Sequence, residues 1–194
     1  MVIADLMKLN VTPSLNGSLG EAYYKEACDQ KGWAYISLEN IPNDKGSQFK
    51  DGNILVFKKG FHRIRIKIPE QFISEIKELS RPTNNSLDNP SFVFDYLVCR
   101  VGQKSSYEGV IIANPSDFCW AEVKTGNSGF SDNQVAAMGK IKLPLALFYI
   151  EDVYQLPENI EIEWIRQDSR QWLDEVKRVE KEELENEEED DNYY

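Results

Sequence analysis

The chain has 194 residues, 41% of them hydrophobic, with 22 Lys and Arg against 33 Asp and Glu for a net charge of −11 at pH 7. That length suits one domain with a sizeable core. No apolar run reaches the roughly 18 residues that span a bilayer, and the start lacks a basic-then-apolar leader, so no membrane association and a cytoplasmic location are expected. Three widely spaced cysteines, Cys28, Cys99 and Cys119, sit in apolar surroundings and form no Cys-x-x-Cys. They read as reduced core residues, which excludes a disulfide framework and a zinc ribbon.

In chain order, residues 19–28 form a predicted helix, with Ser18-x-x-Glu21 in the spacing of a capping box. A first strand follows at 32–36 and a loop at 43–47. From Arg63 to Ile68 cations and isoleucines alternate strictly, so Arg63, Arg65 and Lys67 share one face and Ile64, Ile66 and Ile68 the other. This is either a half-buried strand with a solvated face or a stripe that holds successive phosphates. His62, the one histidine, reads as a surface residue beside it. Pro69-Glu70 opens a short amphipathic helix with Phe72, Ile73, Ile76 and Leu79 at helical spacing, and 81–90 is a loop rich in Pro, Asn and Asp, expected to be mobile near the mouth of a site.

Two apolar, β-branched and aromatic stretches come next, 91–99 and 118–124, joined by a connection through 104–117. Between 124 and 131 lies a glycine-containing turn; with its lysine ahead of the glycines it is not a phosphate-binding P-loop. Ser131-x-x-Gln134 fits a capping box opening a helix, 145–150 is a last apolar strand, and 161–165 alternates like an edge strand. Ser169 caps a further predicted helix carrying Trp172, Leu173, Val176 and Val179. After Leu173 come 11 of the acidic residues against three cations, leaving 22 acidic and 19 basic residues in the body. Residues 174–194 are therefore an acidic, disordered tail, which solubilises the protein or competes for the basic stripe.

Inside the two apolar stretches stand Asp95, Glu122 and Lys124. Charges in apolar strands are paired or hold a metal. Strand alternation puts Glu122 and Lys124 on one face and Val123 on the other, and pairing of the two strands brings Asp95 to the same patch. Two carboxylates there offer hard oxygen ligands for Mg²⁺ or Mn²⁺.

An acidic residue on one strand followed by Glu-x-Lys on the next resembles the PD-(D/E)xK nuclease superfamily, and within it the restriction-endonuclease-like and archaeal Holliday-junction-resolvase-like members. The order helix, strand, motif strand, motif strand, helix, strand over about 19–150 is similar to the family core. Phe94 stands where proline often precedes the acidic residue.

The resemblance implies an α/β fold with a mixed central sheet flanked by helices. It implies one domain at 1–173, with its core at about 18–150 and an inserted β/α segment at about 39–90. It further implies a metal-dependent endonuclease acting on phosphodiester bonds in DNA. Asp95 and Glu122, with the Val123 carbonyl, hold Mg²⁺ or Mn²⁺, and Lys124 is catalytic. Glu21 and Gln134 are candidate site residues, although helix capping alone explains both; Lys124 also reads as an ion-pair partner. Arg63, Arg65 and Lys67 are the expected nucleic-acid contacts, and cutting both strands of a duplex or junction would favour a homodimer. The alternatives are a catalytically inactive nucleic-acid-binding or protein-interaction module of the same fold, and an acidic regulatory protein acting through its tail.

Overall fold

A computed structural model describes residues 13–41, 53–84, 91–102, 109–125, 128–150 and 162–165. The predicted loops at 43–47 and 104–108, the helix after Ser169 and the acidic tail lie outside the described residues. In chain order the elements are helix α1 (Pro13–Lys31), strands β1 (Ala34–Ser37), β2 (Ile54–Lys59) and β3 (His62–Lys67), helix α2 (Glu70–Leu79), strands β4 (Tyr96–Cys99), β5 (Val110–Ile112) and β6 (Phe118–Thr125), helix α3 (Asp132–Met138), and strands β7 (Leu145–Ile150) and β8 (Ile162–Ile165). The strands form one mixed sheet in the order β5-β3-β2-β1-β4-β6-β7-β8. Among the described strands only β3–β5 and β6–β7 pair in parallel. Among the described residues this is a three-layer α/β arrangement, as the sequence predicts.

Two apolar clusters lie on the two faces of the sheet. One packs Tyr24, Ala27 and Cys28 of α1 against Tyr35, Tyr96, Val98, Cys119, Ala121, Ala146 and Phe148. The other packs Phe72 and Ile76 of α2 and Ala137 and Met138 of α3 against Phe57, Ile64, Leu97, Phe118, Trp120 and Leu147. The period-2 alternation of β4 and β6 separates these sets, so Cys119 and Ala121 face α1 while Phe118 and Trp120 face α2 and α3. Tyr24 fixes α1 in place: its ring stacks on Tyr96 at 4.3 Å and meets Phe148 edge-on at 4.6 Å. Such pairs contribute about 0.5–1.5 kcal/mol each beyond burial.

The second cluster is tied together by a buried carboxylate. Glu75 of α2 accepts from Trp120 Nε1 at 2.8 Å, from the Lys142 N–H at 2.8 Å and from the Leu143 N–H at 3.3 Å. Burying an acid is costly without donors, and these three supply them. The arrangement fastens α2 to β6 and to the turn before β7.

The structure corrects the sequence reading in three places. Helix α1 begins at Pro13 and not near Leu19, so Ser18 and Glu21 lie inside it. A proline at the first turn needs no intrahelical donor, which lets the helix start there. The strand predicted over 91–99 is regular only from Tyr96, and Asp95 sits in a bend just before it. Strand β5 within the expected connection is an addition; it pairs with β3. The insertion does form a hairpin and a helix, and all three cysteines are buried and unbonded as predicted.

Candidate active site

The site lies where β4 begins and β6 ends. These strands pair antiparallel with Tyr96 opposite Ala121, so the next step of the register places Asp95 across from Glu122. Beyond that point β4 no longer supplies backbone acceptors. The Asp95 side chain takes over: its Oδ2 accepts the Val123 N–H at 2.8 Å.

Glu122 and Lys124 project from β6 on the α3 side, and the partly buried Val123 packs with the α1-side cluster, as alternation predicts. Lys124 Nζ lies 2.9 Å from Glu122 Oε1. It also donates to Gln134 Oε1 at 2.9 Å and sits 5.2 Å from the centre of the Phe130 ring.

Gln134 is the hub. Its Oε1 accepts the Ser131 N–H at 3.0 Å, which completes the predicted capping box of α3. Its Nε2 donates to Glu122 Oε1 at 2.7 Å and to the Val93 carbonyl at 2.9 Å. The cap of α3 and the contacts with Glu122 and Lys124 are made by one side chain with its two ends used differently.

Glu21 has a different fate. As a mid-helix residue it cannot cap. Its Oε2 instead accepts from the Tyr96 hydroxyl at 3.0 Å and pairs with Lys25 Nζ at 3.0 Å. Its charge acts on Asp95 without joining the Glu122 network. Gly20 permits this approach. A Cβ there would stand 2.5 Å from Thr125 Cγ2 and 3.4 Å from Val123 Cγ1, so α1 rests directly on β6.

The electrostatics are those of two acids in one dry place. Glu122 is 4% exposed, and burial, then the Asp95 charge, raise its carboxyl to about 7 despite Lys124 and Gln134. Asp95 is also raised, first by burial and then by Glu21, against the opposing Val123 N–H and Lys124. Glu122 Oε2 is buried without a hydrogen-bond partner. An orphaned carboxylate oxygen beside a second carboxyl is a place for a proton or a cation. The three thiols are raised by burial, Cys28 and Cys119 to about 12, which argues against a cysteine nucleophile.

A cleft of about 800 Å³ opens on the α1 side and reaches Asp95, Glu21 and Tyr96 at one end and Lys58, Phe61 and Arg63 of the β2–β3 hairpin at the other. The stripe alternates as predicted, with Arg63, Arg65 and Lys67 exposed and Ile64 and Ile66 buried. Only Arg63 of the three lines this cleft; Lys58, His62 and Lys25 join it there. Neither Glu122 nor Lys124 lines the cleft, because both project on the α3 side of the sheet, away from it. The predicted loop at 81–90 is described only to Asn84. Its base is clasped by Ser91, whose N–H donates to Asn84 Oδ1 at 3.1 Å and whose carbonyl accepts the Thr83 N–H at 2.7 Å.

Sequence reasoning missed Lys58, Lys25, Tyr96 and Phe61 as cleft residues. Lys58 carries a legible signal, since it alternates with the buried Phe57 in a strand that pairs with Arg63. Tyr96 does not, because its hydroxyl reaches Glu21 only once α1 is packed. Comparison with protein-family models, with curated proteins and with solved structures finds no match to this chain.

Proposed function

We propose that the protein is a metal-dependent phosphodiesterase acting on nucleic acid, an endonuclease on DNA, with Asp95, Glu122 and Lys124 as its reacting centre. The observation that carries this reading is the buried, unpartnered Glu122 Oε2 beside the Asp95 carboxyl, with Lys124 paired to Glu122 and its charge acting on Asp95. The element order α1, β1, β4, β6, α3, β7 also supports a restriction-endonuclease-like core.

The residues fit a hard divalent ion. Asp95 and Glu122 would hold Mg²⁺ or Mn²⁺, and a strand residue presents its N–H and C=O on one side, so the Val123 carbonyl faces the same way as the N–H that meets Asp95. Such an ion, when bound, lowers the pKa of a coordinated water and offsets charge on the phosphate. Lys124 orients the attacking water or stabilises charge developing on the phosphoryl oxygens. Gln134 keeps Lys124 and Glu122 in register through its two amide ends. Glu21, exposed and joined to Tyr96, borders the cleft that reaches Asp95.

A Mn²⁺ titration by calorimetry tests the centre: wild type should bind, and Glu122→Ala should not. Binding that is equal in both proteins would remove the proposed ligand set. The second reading is a module of the same fold without turnover. It is favoured by the closed Lys124–Glu122–Gln134 network and by the position of Glu122 outside the cleft. Nucleic-acid binding without metal-dependent cleavage would select it.

A further inference from the structure

We propose that Phe61, at the tip of the β2–β3 hairpin, is a stacking platform for an unpaired base, so that the cleft takes single-stranded or locally unpaired DNA in preference to continuous duplex. This rests on the nucleic-acid reading above and names its substrate class.

Phe61 is 104% exposed, whereas Phe57, Phe72, Phe94, Phe118 and Phe148 are buried in the core. Its environment is a two-residue turn between β2 and β3, with Lys59 opposite His62. Gly60 has φ +55°, and Asn53 is the one non-glycine with positive φ among the described residues, so Phe61 keeps an ordinary backbone. Glycine first and an ordinary residue second is the pattern of a type II′ turn. That turn needs Gly60, but it makes no demand for an aromatic at the second place.

The tip is held as well as exposed. The Gly60 N–H donates to Asp29 Oδ1 near the end of α1 at 2.8 Å. Next to it, the buried Lys59 ammonium donates to the Gly102 carbonyl. With the backbone beneath it held, only the two side-chain torsions of Phe61 remain to be ordered when a flat ligand settles on the ring.

A lone exposed apolar residue is ordinary, and here the surroundings decide. Phe61 lines the same cleft as Lys58, His62 and Arg63, and the far end of that cleft holds Asp95 and Glu21. An aromatic face beside cations is how single strands are held: bases stack while the cations follow the backbone. In continuous duplex every base is already stacked, so Phe61 gains a partner only where pairing is broken. The charge complementarity also runs in the useful direction, cations at the holding end and carboxylates at the cutting end.

The test measures fluorescence anisotropy of full-length protein in chelator, with a labelled single-stranded 20-mer and with the same sequence as blunt duplex. Stacking contributes about 1–3 kcal/mol per base, so Phe61→Ala should weaken single-strand binding about fivefold to a hundredfold and duplex binding far less. Phe61→Trp and Phe61→Tyr should bind like wild type, and Phe61→Leu like Phe61→Ala. Melting curves that match wild type exclude a folding defect, as expected for an exposed turn residue.

The proposal is overturned if wild type binds neither probe, if Phe61→Ala is silent, if both probes weaken equally, or if Phe61→Leu retains full affinity. Cleavage separates the two claims. Cleavage that needs Lys124 while Phe61→Ala binds normally would sink stacking and keep the nuclease. Stacking-dependent binding with no cleavage in Mg²⁺ or Mn²⁺ would do the reverse.

Discussion

Lys124 is held by Glu122, Gln134 and the Phe130 face, and each contact limits where its ammonium can go. Removing one preorganised electrostatic contact typically costs about 2.7–4 kcal/mol of transition-state stabilisation. Lys124→Ala should therefore lower kcat by about a hundredfold to a thousandfold while circular dichroism stays native; single-turnover cleavage reads this directly. Glu122 makes a second prediction. Its folded carboxyl lies at about 7 against an ordinary 4.5, raised chiefly by burial. Between those values the folded protein binds more protons than the unfolded chain, so stability falls as pH rises from about 4.5 through 7 and levels off above. Asp95 is shifted in the same direction and adds to the trend. Melting temperature in chelator should fall across that range, and Glu122→Gln should flatten the fall. A curve that rises over that range in the wild type would contradict the proposed cause. The sequence showed Asp95, Glu122 and Lys124 because charges in apolar strands stand out. It could not show that Glu122 has one bonded and one orphaned oxygen, since Gln134 and Lys124 both reach the same side.

At the scale of elements, two contacts set where the helices sit. Gly20 inside α1 would ordinarily gain about 0.5–1 kcal/mol on replacement by alanine. Here the new methyl would stand 2.5 Å from Thr125 Cγ2, and overpacking costs about 1–3 kcal/mol. Crowding should win: Gly20→Ala should lower the urea midpoint, whereas a rise would show that α1 is loosely seated. Glu75 anchors α2 through Trp120 Nε1 and two backbone N–H groups. Glu75→Ala leaves the buried Trp120 Nε1 and Leu143 N–H without an acceptor, each unsatisfied group costing about 1–3 kcal/mol, so it should destabilise more than Gly20→Ala. Neither residue was legible in the sequence. Gly20 reads as a weak helical residue and Glu75 as a solvent-facing one until tertiary packing assigns their partners. The alternation of β3 and the Ser131–Gln134 cap were legible because both depend on spacing alone. The α1 capping box failed for the converse reason: Ser18-x-x-Glu21 has the right spacing, but the helix had already begun at Pro13.

For the molecule as a whole, a net charge of −11 would repel a polyanion if it were evenly spread. Much of it lies in 174–194, outside the described residues, while the hairpin presents Lys58, Arg63, Arg65 and Lys67 as exposed cations. Each phosphate neutralised contributes about −0.9 to the slope of log affinity against log salt. Arg63→Gln should remove about one such contact, and Lys67→Gln less, because Arg63 lines the cleft and Lys67 does not. Equal effects would mean that the whole outer stripe meets the backbone, as alternation alone suggests. The path of the cleft was not legible in the sequence, because it depends on how the hairpin lies against α1 through Gly60 and Asp29. The central claim is that Asp95, Glu122 and Lys124 cleave phosphodiester bonds with a divalent ion. The most direct test is a panel of labelled single-stranded, duplex and branched DNA, with RNA alongside, incubated in Mg²⁺, Mn²⁺ or chelator with wild type and Lys124→Ala. The account predicts metal-dependent cleavage of at least one DNA by wild type and close to none by Lys124→Ala; cleavage that persists in chelator or in Lys124→Ala, or no cleavage of any substrate, would contradict it.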